Sequence, residues 1–173
     1  MSAPIGPLTA GMLITVLIVS SIKIGLSDLR DRQIRNHDVI VFITFGAAYA
    51  LLRAIATGSL HALAIEIAIG LLMFAAGFVF WLLAKMGAGD VKYLTATPLA
   101  VGARDLLLFL LVLLSFSLIS LLLVRFPKLL SPQVRSSFVD KNGQAAFIPY
   151  GVLISLAVML VLVFHLARLF GFL

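Results

Sequence analysis

The chain has 173 residues, of which 62% are hydrophobic and 12% are charged, and its formal net charge is +6. Soluble domains contain roughly 45 to 50% apolar and about 25% charged residues, so this composition excludes an ordinary soluble fold and indicates an integral membrane protein. Cysteine is absent, which excludes disulfides, thiolate metal sites and a cysteine nucleophile. The basic residues lie in short segments between apolar runs, which argues against a nucleic-acid-binding patch.

Five apolar segments each approach the roughly 20 residues that a helix needs to cross a bilayer. They cover residues 8–27, 39–56, 62–84, 106–124 and 145–164. A sixth candidate, residues 91–103, is shorter and contains Thr95, Thr97 and Pro98, so we expect a tilted, partly unwound or re-entrant helix shielded by its neighbours. The predicted fold class is therefore all-α, a polytopic membrane bundle of about six transmembrane helices with a short or irregular fourth.

The spacing of these segments leaves little room for other structure. The longest hydrophilic stretch covers residues 125–144. We therefore predict one membrane-embedded domain over 1–173 without a separate soluble domain. No basic residue precedes the first apolar segment and no small-residue cleavage site follows it, which predicts a retained first helix rather than a signal peptide.

The distribution of basic residues predicts the orientation. If six helices alternate in direction, ten basic residues fall on one side of the membrane and three on the other. The larger group is Lys23, Arg30, Arg32, Arg35, Lys85, Lys92, Arg125, Lys128, Arg135 and Lys141, and the smaller is Arg53, Arg104 and Arg168. The positive-inside rule places the larger group in the cytoplasm and both chain ends outside. The predicted location of the protein is the cytoplasmic membrane.

Aspartates at the predicted cytoplasmic surface are the candidate chemical groups. Asp28, Asp31 and Asp38 follow the first predicted helix, and Asp90 precedes the fourth on the same side. Charged groups at the edge of an apolar segment are costly and usually functional. Two neighbouring carboxylates do not both ionise easily, so one stays protonated as an acid while the other acts as a base. Such a pair activates a water for attack on a peptide carbonyl and then protonates the leaving amine.

Other interpretations of the aspartates stay open at this point. Taken alone, Asp28, Asp31 and Asp38 are also typical of a solvated loop with exposed ion pairs. An ion- or proton-coupled carrier would use Asp28 and Asp90 to bind a cation, although no inverted repeat is evident and both residues belong to one surface. A non-enzymatic membrane assembly subunit would use the glycines near Asp90 for helix packing.

Three short blocks lie along the chain. Residues 28–36 read DLRDRQIRN, residues 87–92 read GAGDVK and residues 149–151 read PYG. Together they resemble the type IV prepilin peptidases, whose first block is an aspartate, a basic stretch and Ile-Pro-Asn, and whose second block is Gly-x-Gly-Asp. Arg35 stands where proline is usual in the first block.

The resemblance implies a membrane aspartic endopeptidase that removes the short basic leader from pilin-like precursors at the cytoplasmic surface. It implies Asp28 and Asp90 as the two catalytic aspartates. Asp31 is a rival for the first role, but the spacing to Ile34 and Asn36 favours Asp28. The expected substrate-binding or site-shaping residues are Asn36, Gly87, Gly89, Lys92, Pro149, Tyr150 and Gly151.

The expected partners are a pilin-like precursor and the lipid bilayer. No cofactor, metal or nucleic acid is expected, and the sequence makes no prediction of the oligomeric state. Longer members of the family carry paired Cys-x-x-Cys motifs associated with N-methylation of the processed pilin. The chain contains no cysteine, so we expect cleavage without methyl transfer, as in the short members that serve tight-adherence (Flp) pili or archaeal flagellin-like precursors. We also expect the backbone of residues 87–89 to bond an extended leader, and Glu66, near the opposite surface, to reach water or Arg53.

Overall fold

A computed structural model describes residues 5–126 and 149–172, and within these residues the protein consists of six α-helices. In chain order they are α1 Ile5–Asp31, α2 Asn36–Thr57, α3 Leu60–Leu82, α4 Ala88–Val101, α5 Leu106–Arg125 and α6 Tyr150–Leu169. All except α4 are long and apolar enough to cross a membrane. The predicted all-α membrane bundle with a short fourth helix is confirmed.

The first helix is longer than its apolar segment predicts. α1 continues to Asp31, and α2 already begins at Asn36. Asp28 and Asp31 therefore lie within α1, and the prediction that they follow the first helix is wrong; Asp38 does follow it, in the first turn of α2. Polar residues beyond the apolar segment still continue the backbone hydrogen bonds of the helix, and the N–H of Arg32 donates to the carbonyl of Asp28 over 3.0 Å.

The last helix begins later than its apolar segment predicts. α6 starts at Tyr150, directly after Pro149, and continues to Leu169. Proline is favoured at a helix start, because it has no N–H that would be left unpaired there. The first four residues of the predicted segment, 145–148, and most of the hydrophilic stretch lie outside the described residues.

α4 is the central helix of the bundle. It packs against α2, α3 and α6, and its Tyr93 side chain is fully buried. The contact with α3 is close because α3 presents two glycines: a Cβ on Gly70 would lie 2.9 Å from the carbonyl of Thr95, and one on Gly77 would lie 3.0 Å from Val91. Small residues at helix contacts are typical of membrane bundles.

α4 remains helical through Pro98. A proline inside a helix removes the N–H that would bond the carbonyl four residues earlier, which here belongs to Leu94. The hydroxyl of Thr97 donates to that carbonyl over 2.8 Å instead. The irregularity expected in this helix therefore consists of a side-chain hydrogen bond in place of a backbone one.

Consecutive helices run in opposite directions. Asn36 at the start of α2 bonds Lys92 in the first turn of α4, and Asp105 before α5 bonds His165 near the end of α6. α2, α4 and α6 therefore begin at one end of the bundle, here called the carboxylate end, and finish at the opposite one, here called the far end.

Candidate active site

Asp28 of α1 and Asp90 of α4 line one cavity at the carboxylate end. This carboxylate cavity has a volume of about 430 Å³, and its other walls are residues 32–36, 87–89 and Lys92. Asp28 is buried and Asp90 is partly buried. Two acidic side chains that are far apart in the sequence therefore meet in one partly enclosed space.

The turn between α1 and α2 forms one wall of the carboxylate cavity. Arg32 has a φ of 50°, a left-handed conformation that ends α1, and the hydroxyl of Ser27 donates to the carbonyl of Gln33 over 3.0 Å. Arg35 precedes α2 with φ −75° and ψ 134°, values that a proline also adopts. The arginine found in place of the usual proline is therefore compatible with a proline-like backbone at this position.

The Gly-x-Gly-Asp segment forms the first turn of α4. Gly87 is the N-cap, so Asp90 occupies the third helical position. A carboxylate at that position reaches back toward the N-cap N–H and lies at the positive end of the helix dipole. The backbone amide of Gly87 points toward Asp90 in this way. A Cβ on Gly87 would lie 2.8 Å from Asp90 Oδ2, so glycine leaves room for the carboxyl group.

Ile34 packs between the two glycine-containing segments. A Cβ on Gly89 would lie 2.9 Å from Ile34 Cβ, and one on Gly151 would lie 2.7 Å from Ile34 Cδ1. This packing already requires glycine at position 89, and leader binding by the backbone of residues 87–89 stays a prediction. Ile34 is not among the site residues expected from the sequence, because an apolar side chain carries no sign of chemistry.

The first turn of α6 lies against Asp28. A Cβ on Gly151 would lie 2.6 Å from Asp28 Oδ2, and the backbone amides of Gly151 and Val152 point toward this carboxyl group. The amide of Gly151 also points toward Asp90. The positive end of α6 therefore faces both carboxylates. Within the described residues, Asp28 Oδ2 and Asp90 Oδ1 are buried and accept no hydrogen bond.

The surroundings of Asp90 change its protonation. Burial, and after it the negative charge of Asp28, raises the pKa of Asp90 from 3.8 to about 6, while the backbone amides of Gly87 and Gly151 oppose the rise. A carboxyl group with such a pKa keeps its proton under mildly acidic conditions. The two aspartates therefore form a pair that retains one proton more readily than two isolated carboxyl groups do.

Lys92 and Asn36 connect two helices at the rim of the carboxylate cavity. Lys92 Nζ donates to Asn36 Oδ1 over 3.0 Å at an exposed position. Arg35 also lies at this rim, where it pairs with Asp31 over 3.5 Å. The Asp31 side chain is exposed and is not part of the cavity wall, so the structure brings Asp28, and not its rival, to Asp90.

The expected site residues take four positions. The cavity walls include Asp28, Asn36, Gly87, Gly89, Asp90 and Lys92. Gly151 packs directly against Asp28. Tyr150 instead lines a neighbouring groove together with Trp81 and Ala88. Pro149 precedes α6 and lines neither the carboxylate cavity nor this groove.

An ion pair between Lys23 and Asp38 was not identified from the sequence. Lys23 Nζ lies 2.7 Å from Asp38 Oδ1, and Asp38 is buried. The pair joins α1 to α2 close to the turn that carries the cavity wall. Opposite charges on two adjacent helices only weakly indicate a particular ion pair, because each aspartate in this part of the sequence has several basic residues nearby.

A model of the type IV leader peptidase family matches residues 12–124. No curated protein and no solved structure matches the chain. The matched residues contain Asp28, the turn after α1 and the first turn of α4. Gly151 and the rest of α6 lie beyond the match, so the family model does not cover the packing of Gly151 against Asp28.

Proposed function

The chain belongs to the type IV leader peptidase family, and on that premise we propose that it is an aspartic endopeptidase acting through Asp28 and Asp90. The observation that carries this proposal is the single cavity to which α1 contributes Asp28 and α4 contributes Asp90. Burial and mutual repulsion give such a pair one retained proton, which is the state that acid–base peptide hydrolysis requires.

The proposed reaction uses a water held between the two carboxyl groups. Asp28 accepts a proton from this water as the water oxygen bonds to the peptide carbonyl carbon. Asp90 begins protonated, in line with its pKa of about 6, and donates a hydrogen bond to the carbonyl oxygen, on which negative charge develops. The proton taken by Asp28 then passes to the amine nitrogen as the carbon–nitrogen bond breaks. The cycle needs no cofactor, and methyl transfer is not part of the proposal.

The proposed substrate is a pilin-like precursor with a short basic leader followed by an apolar helix. The apolar helix lies in the bilayer, which concentrates the precursor next to the enzyme. We place the carboxylate end in the cytoplasm because most basic residues belong to its predicted side. In this orientation the junction between leader and helix reaches the carboxylate cavity at the membrane surface.

Cleavage of a pilin-like precursor by the purified chain in lipid vesicles tests the proposal, with the products identified by mass spectrometry. Asp28→Asn and Asp90→Asn are each expected to lower the rate by at least about 100-fold, because each removes one partner of the acid–base pair. Asp31→Asn is the matched control, since Asp31 belongs to the same helix but lies outside the cavity wall.

Two results would contradict the proposal. If both Asp28→Asn and Asp90→Asn cleave as fast as the parent, the aspartic mechanism is wrong. If Asp31→Asn is the inactive variant and Asp28→Asn is active, the first aspartate has been misassigned.

A further inference from the structure

Arg53 of α2 closes the far end of the helix that carries Asp90. α4 ends at Val101, which is buried, and the last carbonyls of a helix have no helical N–H as a partner. The guanidinium of Arg53 donates to the carbonyl of Leu99 over 2.9 Å and to that of Ala100 over 3.2 Å. A cation at this position also interacts favourably with the negative end of the helix dipole.

Glu66 of α3 holds Arg53 in this position. Glu66 Oε2 accepts from Arg53 over 3.0 Å, and Oε1 accepts from the backbone N–H of Ala103 over 3.4 Å. The guanidinium also lies 4.3 Å from the centre of the Tyr49 ring, and Glu66 is only 5% exposed. One ion pair therefore connects α2, α3 and the end of α4.

The chain leaves α4 in a conformation that fits closely around this pair. Gly102 has a φ of 85°, which favours glycine. A Cβ at this position would lie 3.4 Å from the Arg53 guanidinium and 3.5 Å from Glu66 Oε1. The contacts are specific to one placement of the α4 end, because they depend on two backbone carbonyls and one backbone N–H.

We propose that Arg53, held by Glu66, is a positioning residue for Asp90. The inference rests on the proposed function. α4 has 14 residues, which at a rise of 1.5 Å per residue makes it about 20 Å long. Arg53 therefore acts on Asp90 over the length of this one helix. Without Arg53, two carbonyls lose their donor in an apolar setting, and α4 shifts toward other donors. Asp90 then moves relative to Asp28, which is carried by a different helix.

The test compares the same substitution at two arginines of the far end. Arg53→Met removes the donor to α4, whereas Arg104→Met removes an exposed arginine that makes no ion pair or side-chain hydrogen bond within the described residues. Arg53→Met is expected to lower kcat for precursor cleavage by about 100-fold with KM within about twofold of the parent, because a misplacement of about 1 Å has such an effect. Arg104→Met is expected to keep both constants.

Arg53→Lys gives a second, milder variant in case Arg53→Met fails to fold. Lysine keeps the charge and offers three N–H donors, but it lacks the fork that reaches two carbonyls and a carboxylate together. We expect its kcat to lie between those of the parent and Arg53→Met. A kcat for Arg53→Lys equal to that of the parent, in the absence of folded Arg53→Met, would overturn the proposal.

A readout without catalysis separates this inference from the proposed function. Carbodiimides modify protonated carboxyl groups, so the pH at which half of Asp90 is labelled, measured by mass spectrometry, reports its titration. All variants keep the charged groups that share the cavity of Asp90, which are Asp28, Arg32, Arg35 and Lys92. In Arg53→Met the midpoint is expected to fall by about 0.5 or more, because Asp90 moves away from Asp28 and toward water.

The outcomes divide cleanly between the two proposals. If Arg53→Met is less stable to heat but keeps the parent's kcat and labelling midpoint, Arg53 has only a structural role and the inference is overturned. If the parent itself fails to cleave the precursor, the proposed function fails. In that case a lowered midpoint in Arg53→Met, with Arg104→Met unchanged, still supports the positioning of Asp90, and an unchanged midpoint overturns it.

Discussion

Gly151 lies so close to Asp28 that a side chain at position 151 and the carboxyl group exclude one another. A Cβ on Gly151 would come within 2.6 Å of Asp28 Oδ2, well inside van der Waals contact. The backbone amides at the start of α6 point toward the carboxyl group because of this closeness. Within the third sequence block, Gly151 therefore acts through the absence of a side chain, which leaves room for the Asp28 carboxyl group.

Gly151→Ala is expected to lower kcat/KM for precursor cleavage by about 100-fold, because either the start of α6 or Asp28 must move. The matched control is Gly6→Ala, at a helical glycine where the added Cβ would have no atom within 4 Å from the described residues beyond the adjoining turns of its own helix, and it should cleave like the parent. Kinetics of both variants in lipid vesicles check the prediction.

A double variant identifies which contact causes the loss. The Cβ of Gly151→Ala also comes within 2.7 Å of Ile34 Cδ1, an atom that Ile34→Val removes. If the contact with Asp28 is responsible, adding Ile34→Val should not restore cleavage. Full restoration in the double variant would show that packing against Ile34, and not the position of Asp28, was disturbed.

The rate of cleavage is expected to depend on pH through Asp90. Because the pKa of Asp90 is raised to about 6, the pair loses its remaining proton as the pH rises through that value. We therefore expect kcat/KM to fall above about pH 6, with an apparent pKa that belongs to the pair. A profile of kcat/KM that stays level from pH 5 to pH 8 would contradict this assignment.

The same raised pKa predicts an effect on stability. Folding favours protonated Asp90, so the parent loses stability as the pH rises from about 3.8 to about 6, and it stays destabilised above that range. Asp90→Asn avoids this loss and is expected to be more stable than the parent at pH 7.5, by at most about 3 kcal/mol. Near pH 4 the difference should disappear. Thermal unfolding in detergent at both pH values measures it, and a variant less stable than the parent at pH 7.5 would contradict the sign.

The helices were predictable because their signal is local. Apolar segments indicated each membrane helix, and Pro98 with its neighbouring threonines indicated the short fourth one. The helix ends were less predictable, because the apolar segment ends before Asp28 while backbone hydrogen bonding continues to Asp31. The start of α6 was also predicted inexactly, because the apolar segment begins at residue 145 whereas the helix begins at Tyr150.

The candidate site was only partly predictable, because contacts depend on how helices are rotated toward each other. Asp28 and Asp90 stood out as carboxylates in apolar surroundings. Ile34 did not, since its importance lies in packing against two glycines. Arg53 was expected to meet Glu66, but its bonds to the carbonyls of α4 depend on the place where that helix ends.

The bond between Lys92 and Asn36 is expected to contribute little to cleavage. It spans 3.0 Å at an exposed position, and exposed polar pairs are worth about 1 kcal/mol or less. Lys92→Gln should therefore change kcat/KM by less than about tenfold in the cleavage assay. A loss as large as that of Asp90→Asn would show that the Lys92 charge acts on the reacting groups themselves.

The Lys23–Asp38 pair is expected to stabilise the connection between α1 and α2. Asp38 is 4% exposed whereas Lys23 is 62% exposed, so removing the lysine leaves a buried carboxylate whose remaining close partner is the exposed His37 ring, 3.6 Å from Oδ1. Lys23→Met should lower stability by about 2 kcal/mol, between the values for exposed and buried pairs.

The double variant Lys23→Met with Asp38→Asn distinguishes a buried uncompensated charge from lost packing. It should be more stable than Lys23→Met alone, because no buried charge is left without a partner, and thermal unfolding in detergent measures the coupling between the two changes. Additive effects would mean that the lysine contributes through packing of its aliphatic part instead. Cleavage should follow the same order, since the turn after α1 supplies a wall of the carboxylate cavity and an unstable connection between α1 and α2 displaces it.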